Sequence, residues 1–113
     1  VLNPKAPKVG HMFGYGIYLA PKAKKSIGYT SLNGSFWVHG TSDKAYLFVM
    51  KTVYKSPYHV YTWTSGMKSL TQSRISPHDA VFAHAGTSLR NDEVVIFDDA
   101  QVTLQYIIEL KQQ

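Results

Sequence analysis

The segment from Gly14 to Tyr29 constrains the fold of this chain more than any other stretch, because it predicts a short strand that runs directly into a short helix. We expect a strand over residues 16–20 and a helix from about Pro21 to Tyr29 that ends near Gly28. Proline suits the first turn of a helix, where its missing N–H would have had no helical partner. Gly14 and Gly16 carry no Cβ, so backbone there can come close to a ligand or to another chain.

Three side chains of this segment are expected to converge on one pocket. Tyr18 belongs to the strand, and Ser26 and Tyr29, three residues apart, share one face of the helix. A flat aromatic ligand could lie between the two rings while Ser26 bonds its edge. A single tyrosine is more often a core residue. The joint occurrence of two tyrosines, a serine and two glycines favours a binding site instead.

Composition limits what such a site can belong to. The 113 residues, 44% of them hydrophobic, suffice for one domain with a modest core. The absence of cysteine excludes disulfides and thiolate chemistry and suits an intracellular, reducing compartment. No apolar run is long enough to span a bilayer, so no membrane association is expected. The chain starts with Val1 rather than Met, as after processing or trimming. The net charge of +5 favours polyanions, although the lysines of the N-terminal third are interpreted as a solvated face.

The remaining pattern predicts a β-rich α+β fold. Strands are expected where apolar and β-branched residues lie between turn signals such as Asn33-Gly34. The predicted elements are an extended loop over 1–9, a buried strand over 45–54, a short strand and a long loop over 56–78, and strands over 79–84, 93–97 and 102–110.

Three blocks of the sequence resemble the catalytic domain of the poly(ADP-ribose) polymerases. The blocks are Gly10 to Tyr29, Leu89 to Asp98, and Ala100 to Leu110, and they follow one another in the family's order. The resemblance covers essentially the whole chain but only the C-terminal part of the family's domain. It implies a β-rich ADP-ribosyltransferase fold, with two packed antiparallel sheets around an NAD cleft. Residues 1–113 would then be the C-terminal part of a single catalytic domain.

The resemblance also implies roles for individual residues in transfer of ADP-ribose from NAD. Glu93 matches the family's catalytic glutamate, whose carboxylate would stabilise an oxocarbenium-like centre as nicotinamide departs. Tyr18 matches a tyrosine at the nicotinamide, and Lys25 a lysine near the reacting atoms. Ser26 and Tyr29 match the serine that bonds the nicotinamide amide and the second stacking ring. The NAD-binding residues implied are Gly14, Tyr18, Ser26 and Tyr29.

One departure from the family pattern predicts an incomplete cleft. In the family a His-Gly-Ser/Thr motif precedes the Gly-x-Gly-Ile-Tyr block, whereas His39-Gly40-Thr41 follows Tyr18 here and is interpreted as a turn. The opposite wall of the cleft would come from a second polypeptide or from another part of a longer chain. The five histidines show no ligand spacing, so no metal site is predicted.

Three functions stay open at this stage. The first is an NAD-dependent ADP-ribosyltransferase, which the presence of Glu93 favours. The second is a non-catalytic NAD- or ADP-ribose-binding module, and the third is a basic nucleic-acid-binding scaffold. The acceptor, whether protein, nucleic acid or small molecule, is not indicated by any motif in residues 56–78.

Overall fold

A computed structural model describes residues 9–22 and 43–111, which form seven strands, one short α-helix and two 3-10 helices. The strands are β1 (Val9–His11), β2 (Gly14–Leu19), β3 (Lys44–Thr52), β4 (Pro57–Val60), β5 (Ala80–Ala83), β6 (Glu93–Ile96) and β7 (Val102–Lys111). The helices are a 3-10 helix (Ser65–Ser69), α1 (Gln72–Ile75) and a second 3-10 helix (Asp99–Gln101). No helix within these described ranges is both long and apolar enough to cross a membrane.

Several predictions fall outside the described residues. They concern the helix after Pro21, the turn at Asn33-Gly34, the tripeptide His39-Gly40-Thr41, and the side chains of Lys25, Ser26 and Tyr29. Within the described residues, the strands predicted over 16–20, 79–84, 93–97 and 102–110 are confirmed, with bounds that differ by a few residues.

The chain divides into two compact units, and the first contains residues 1–21 and 52–103. Its five strands form one sheet in the order β1-β2-β6-β5-β4. Three of the four pairs are antiparallel, as expected, but β4 and β5 run parallel. Two parallel neighbours need a crossover of a dozen or more residues, and the connection through the first 3-10 helix and α1 supplies it. The expectation of purely antiparallel sheets is therefore wrong for this pair.

Both faces of the five-stranded sheet carry buried residues, because Ala80, Val94 and Ile96 lie on one face and the main buried cluster lies on the other. Because side chains alternate between faces, every second residue of β4, β5 and β6 points to the same side. The buried cluster consists of Phe13, Val60, Ile75, Val81, Ala83 and Val95. Ile75 comes from α1, so the crossover helix covers the strands that it connects.

The second unit contains residues 22–51 and 104–113, and its described part is a two-stranded sheet of β3 and β7. Lys44 and Glu109 form an exposed ion pair at 3.9 Å. The strand predicted over 45–54 is present, but it is not buried throughout, since Tyr46 is 57% and Phe48 51% exposed. Hydrophobic residues alone do not show how much of a strand the rest of the protein covers.

Asp79 and Gln101 fix the connections around the five-stranded sheet. The Asp79 carboxylate accepts hydrogen bonds from the backbone N–H groups of Lys55 and Ser56 at 2.8 and 2.9 Å. These bonds stabilise the ionised form and so hold the pKa of Asp79 below its ordinary value of 3.8, with the bond from Lys55 contributing most. The Gln101 amide donates to the carbonyls of Val53 and Asp79, both at 3.0 Å.

Candidate functional site

The pairing of β2 with β6 brings the strand of Tyr18 beside the strand of Glu93. Tyr18 lies opposite Val95 in this antiparallel pair. Glu93 is two residues before Val95, so Tyr18 and Glu93 share one face of the sheet and are diagonal neighbours. The Cα atoms of two residues in that diagonal relation lie roughly 7–8 Å apart. Two of the predicted site residues, far apart in sequence, are thus neighbours in the fold.

The Tyr18 hydroxyl is bound to the turn between β1 and β2. It donates to the carbonyl of Gly14 at 2.7 Å and accepts from the N–H of Phe13 at 2.9 Å. The ring is half-buried and packs against the core cluster. Because the hydroxyl already has both a donor and an acceptor partner, the ring is the part of Tyr18 that is suited to contact a ligand.

The two glycines of β2 lie against other parts of this chain. Gly14 has a φ of +84°, which disfavours any residue with a Cβ, and the Cβ position would collide with the Leu70 carbonyl oxygen. At Gly16 a Cβ would lie 2.8 Å from Val95 Cγ1 and 2.9 Å from the Ile96 carbonyl oxygen. Both glycines are therefore required by the fold itself, and a further role of Gly14 in binding stays a prediction.

Glu93 occupies the first position of β6 and is half-buried. It pairs with Ala83 of β5, whereas the register of β6 with β2 begins at the next residue, Val94. The preceding Asp92 accepts a hydrogen bond from the N–H of Ala85 at 2.7 Å. This bond closes the connection between β5 and β6 immediately before Glu93. The one sequence signal for this role is a general one, since an aspartate in a loop commonly accepts such a backbone bond.

A pocket of about 360 Å³ lies at the opposite end of β2 and β6 from Glu93. Its walls are the start of β2, Phe97 and the crossover segment; the lining residues are Gly14, Tyr15, Lys68, Ser69, Leu70, Thr71, Gln72 and Phe97. Neither Tyr18 nor Glu93 lines it.

No family model matches the chain. A poly [ADP-ribose] polymerase from Sarcophaga peregrina is 30% identical to it over 128 aligned positions, which include 97% of this chain. The chain spans only 13% of the length of that relative. This likeness and the strand-rich architecture with two sheets are consistent with a relation to these polymerases.

Proposed function

We propose that this chain forms the C-terminal part of an NAD-dependent ADP-ribosyltransferase domain. The observation that carries the proposal is the register of β2 and β6, which places Tyr18 and Glu93 on one face of adjacent strands. The similarity to the Sarcophaga peregrina protein over nearly the whole chain supports it. The substrate would be NAD, and the acceptor would be a protein or a nucleic acid.

In this proposal Glu93 stabilises the charge that develops during transfer. When the bond between nicotinamide and ribose breaks, positive charge appears on the ribose, and a carboxylate fixed nearby lowers the energy of that state. The backbone of Glu93 is held by its pairing with β5 and by the loop closure at Asp92. The Tyr18 ring would contact the nicotinamide, together with Ser26 and Tyr29, while Lys25 would lie near the reacting atoms.

The test is the substitution Glu93→Gln in the longest natural polypeptide that contains this sequence. Glutamine keeps the size of the side chain and one acceptor oxygen but removes the charge. We expect transfer from radiolabelled NAD to fall by a factor on the order of 10² to 10³, with NAD affinity nearly unchanged. NAD affinity is measured separately by calorimetry.

Glu109→Gln is the matched control, because it makes the same chemical change at an exposed strand residue paired only at 3.9 Å. It should transfer ADP-ribose at the wild-type rate. Unchanged transfer by Glu93→Gln would refute the role of Glu93. Binding of NAD by the wild-type protein without any turnover would favour a non-catalytic NAD-binding module instead.

A further inference from the structure

Two histidines that are distant in sequence meet on the surface of the five-stranded sheet. His59 of β4 and His84, which follows β5, are 25 residues apart, and His59 Nδ1 lies 2.8 Å from His84 Nε2. In the parallel pair His59 stands opposite Phe82, so His84 lies one same-face position further along. Val60 and Ala83, between these positions, point into the core.

Neighbouring rings restrict how the two imidazoles can move. Tyr61 stacks on His84 with ring centroids 4.4 Å apart and planes 7° apart. Phe82 packs beside both histidines, at 4.6 Å from His84 and 5.8 Å from His59. Both histidines are nevertheless open to solvent, with His59 exposed and His84 half-buried. The pair is therefore held together by its surroundings and is accessible to a solute.

We propose that His59 and His84 form a two-histidine binding site for a divalent transition-metal ion with tetragonal geometry, Cu²⁺ foremost. With metal–nitrogen bonds of about 2.0 Å, two nitrogens 2.8 Å apart subtend an angle of about 90° at the metal. That angle fits two adjacent positions of a square-planar or tetragonal ion, whereas tetrahedral zinc would need a separation of about 3.3 Å. Among divalent ions of the first transition row, Cu²⁺ binds imidazole most strongly.

Binding requires a small rearrangement but no net loss of protons from the neutral pair. In the hydrogen-bonded pair one of the two facing nitrogens carries a proton. That proton moves through water to the other nitrogen of the same ring. Both facing nitrogens then carry a free lone pair, and rotation of the two side chains directs these lone pairs at the metal ion. Among the described residues no third histidine, aspartate or glutamate completes the set, so water fills the remaining positions. The chain has no cysteine, so no thiolate competes for the ion.

This site was not foreseen from the sequence, because ligand spacing reveals only residues that are close along the chain. His59 and His84 become neighbours through the parallel pairing of β4 and β5. The proposal is independent of ADP-ribosyl transfer, since it concerns the surface opposite the core cluster and neither Tyr18 nor Glu93 takes part.

The test is titration of the intact protein with Cu²⁺, followed by calorimetry and electron paramagnetic resonance. At one equivalent we expect a tetragonal spectrum with couplings to two imidazole nitrogens. His59→Ala and His84→Ala should each weaken binding by at least about tenfold and remove one nitrogen from the spectrum. His78→Ala is the control, because the His78 ring contacts Ser56 at 3.1 Å and Tyr58 rather than another histidine, so its removal should not change binding. Wild-type affinity and spectrum in the double variant His59→Ala/His84→Ala would overturn the proposal.

A second measurement needs no variant. Substoichiometric Cu²⁺ broadens the nuclear magnetic resonance signals of nearby side chains in the wild-type protein. We expect the imidazole signals of His59 and His84 and the ring signals of Tyr61 to disappear before those of His78. Equal broadening at His78, or earlier loss of its signals, would contradict the assignment of the site.

Discussion

Comparison of four glycines tests why residues 14 and 16 lack a side chain. The four are Gly14, Gly16, Gly66 and Gly86. At Gly14 an added Cβ would collide with backbone, and the φ of +84° is itself unfavourable for a residue with a side chain. At Gly16 an added Cβ would collide with neighbouring atoms, but φ is not positive. Gly86 has a φ of +150° with open space, and Gly66 has open space without a positive φ. Substituting each by alanine therefore separates backbone strain from collision.

The expected changes in the free energy of unfolding follow from these two terms. Gly86→Ala should lose about 1–3 kcal/mol of stability through backbone strain alone. Gly16→Ala should lose about 1–3 kcal/mol of stability through overpacking alone. Gly14→Ala combines backbone strain with overpacking and should lose about 3 kcal/mol or more. Gly66→Ala should be neutral or gain up to about 1 kcal/mol, because alanine restricts the unfolded chain.

Urea unfolding monitored by circular dichroism measures these differences. With ordinary slopes, the loss expected for Gly14→Ala lowers the urea midpoint by about 1 to 3 M. If Gly14→Ala unfolded at the same urea concentration as Gly66→Ala, the close approach of the Leu70 carbonyl would not be a feature of the protein. If Gly14→Ala were stable but failed to bind NAD, the glycine would serve the ligand rather than the fold.

Two further predictions concern single hydrogen-bonding groups. Tyr18→Phe leaves the N–H of Phe13 and the carbonyl of Gly14 without their partner, so we expect a loss of about 1–3 kcal/mol of stability in urea unfolding; reduced transfer at unchanged stability would contradict this structural role of the hydroxyl. Asp79→Asn should cost about 1 kcal/mol at neutral pH. Because the folded-state pKa of Asp79 is lowered, the stability that its carboxylate contributes is present above pH 3.8 and is lost as the pH falls through the folded-state pKa. Urea unfolding of the wild type and of Asp79→Asn should therefore give the same stability at low pH. A difference that stays constant with pH would refute this role of the Asp79 carboxylate.

Short stretches of sequence were enough to predict most of the strands. The runs around residues 80 and 94 are β-branched and apolar and lie between turn residues, so local preference and burial favour the same structure. The resemblance to the polymerases led to Tyr18 and Glu93, and the fold brings their two strands together. Their roles in catalysis stay predictions.

Features that depend on distant residues were not predictable in this way. The parallel pairing of β4 and β5 and the contact between His59 and His84 both require knowledge of which strands are neighbours. The exposure of Tyr46 and Phe48 likewise depends on what packs against β3, which hydrophobicity does not reveal. The Leu70 carbonyl beside Gly14 is a backbone contact, so no side-chain pattern could indicate it.

The position of β6 between β2 and β5 sets an order of events during synthesis of the protein. Ile17 of β2 pairs with Ile96 of β6, so β2 cannot complete its hydrogen bonds until almost the whole sheet-forming region has been made. At a translation rate of about 5–20 residues per second, that interval lasts roughly 4 to 16 s. The β1–β2 hairpin is too short to be stable alone during this time. During synthesis the nascent chain therefore carries β2 as an apolar strand without its β6 partner. The sheet is completed only when β6 is made and pairs with β2 on one side and β5 on the other.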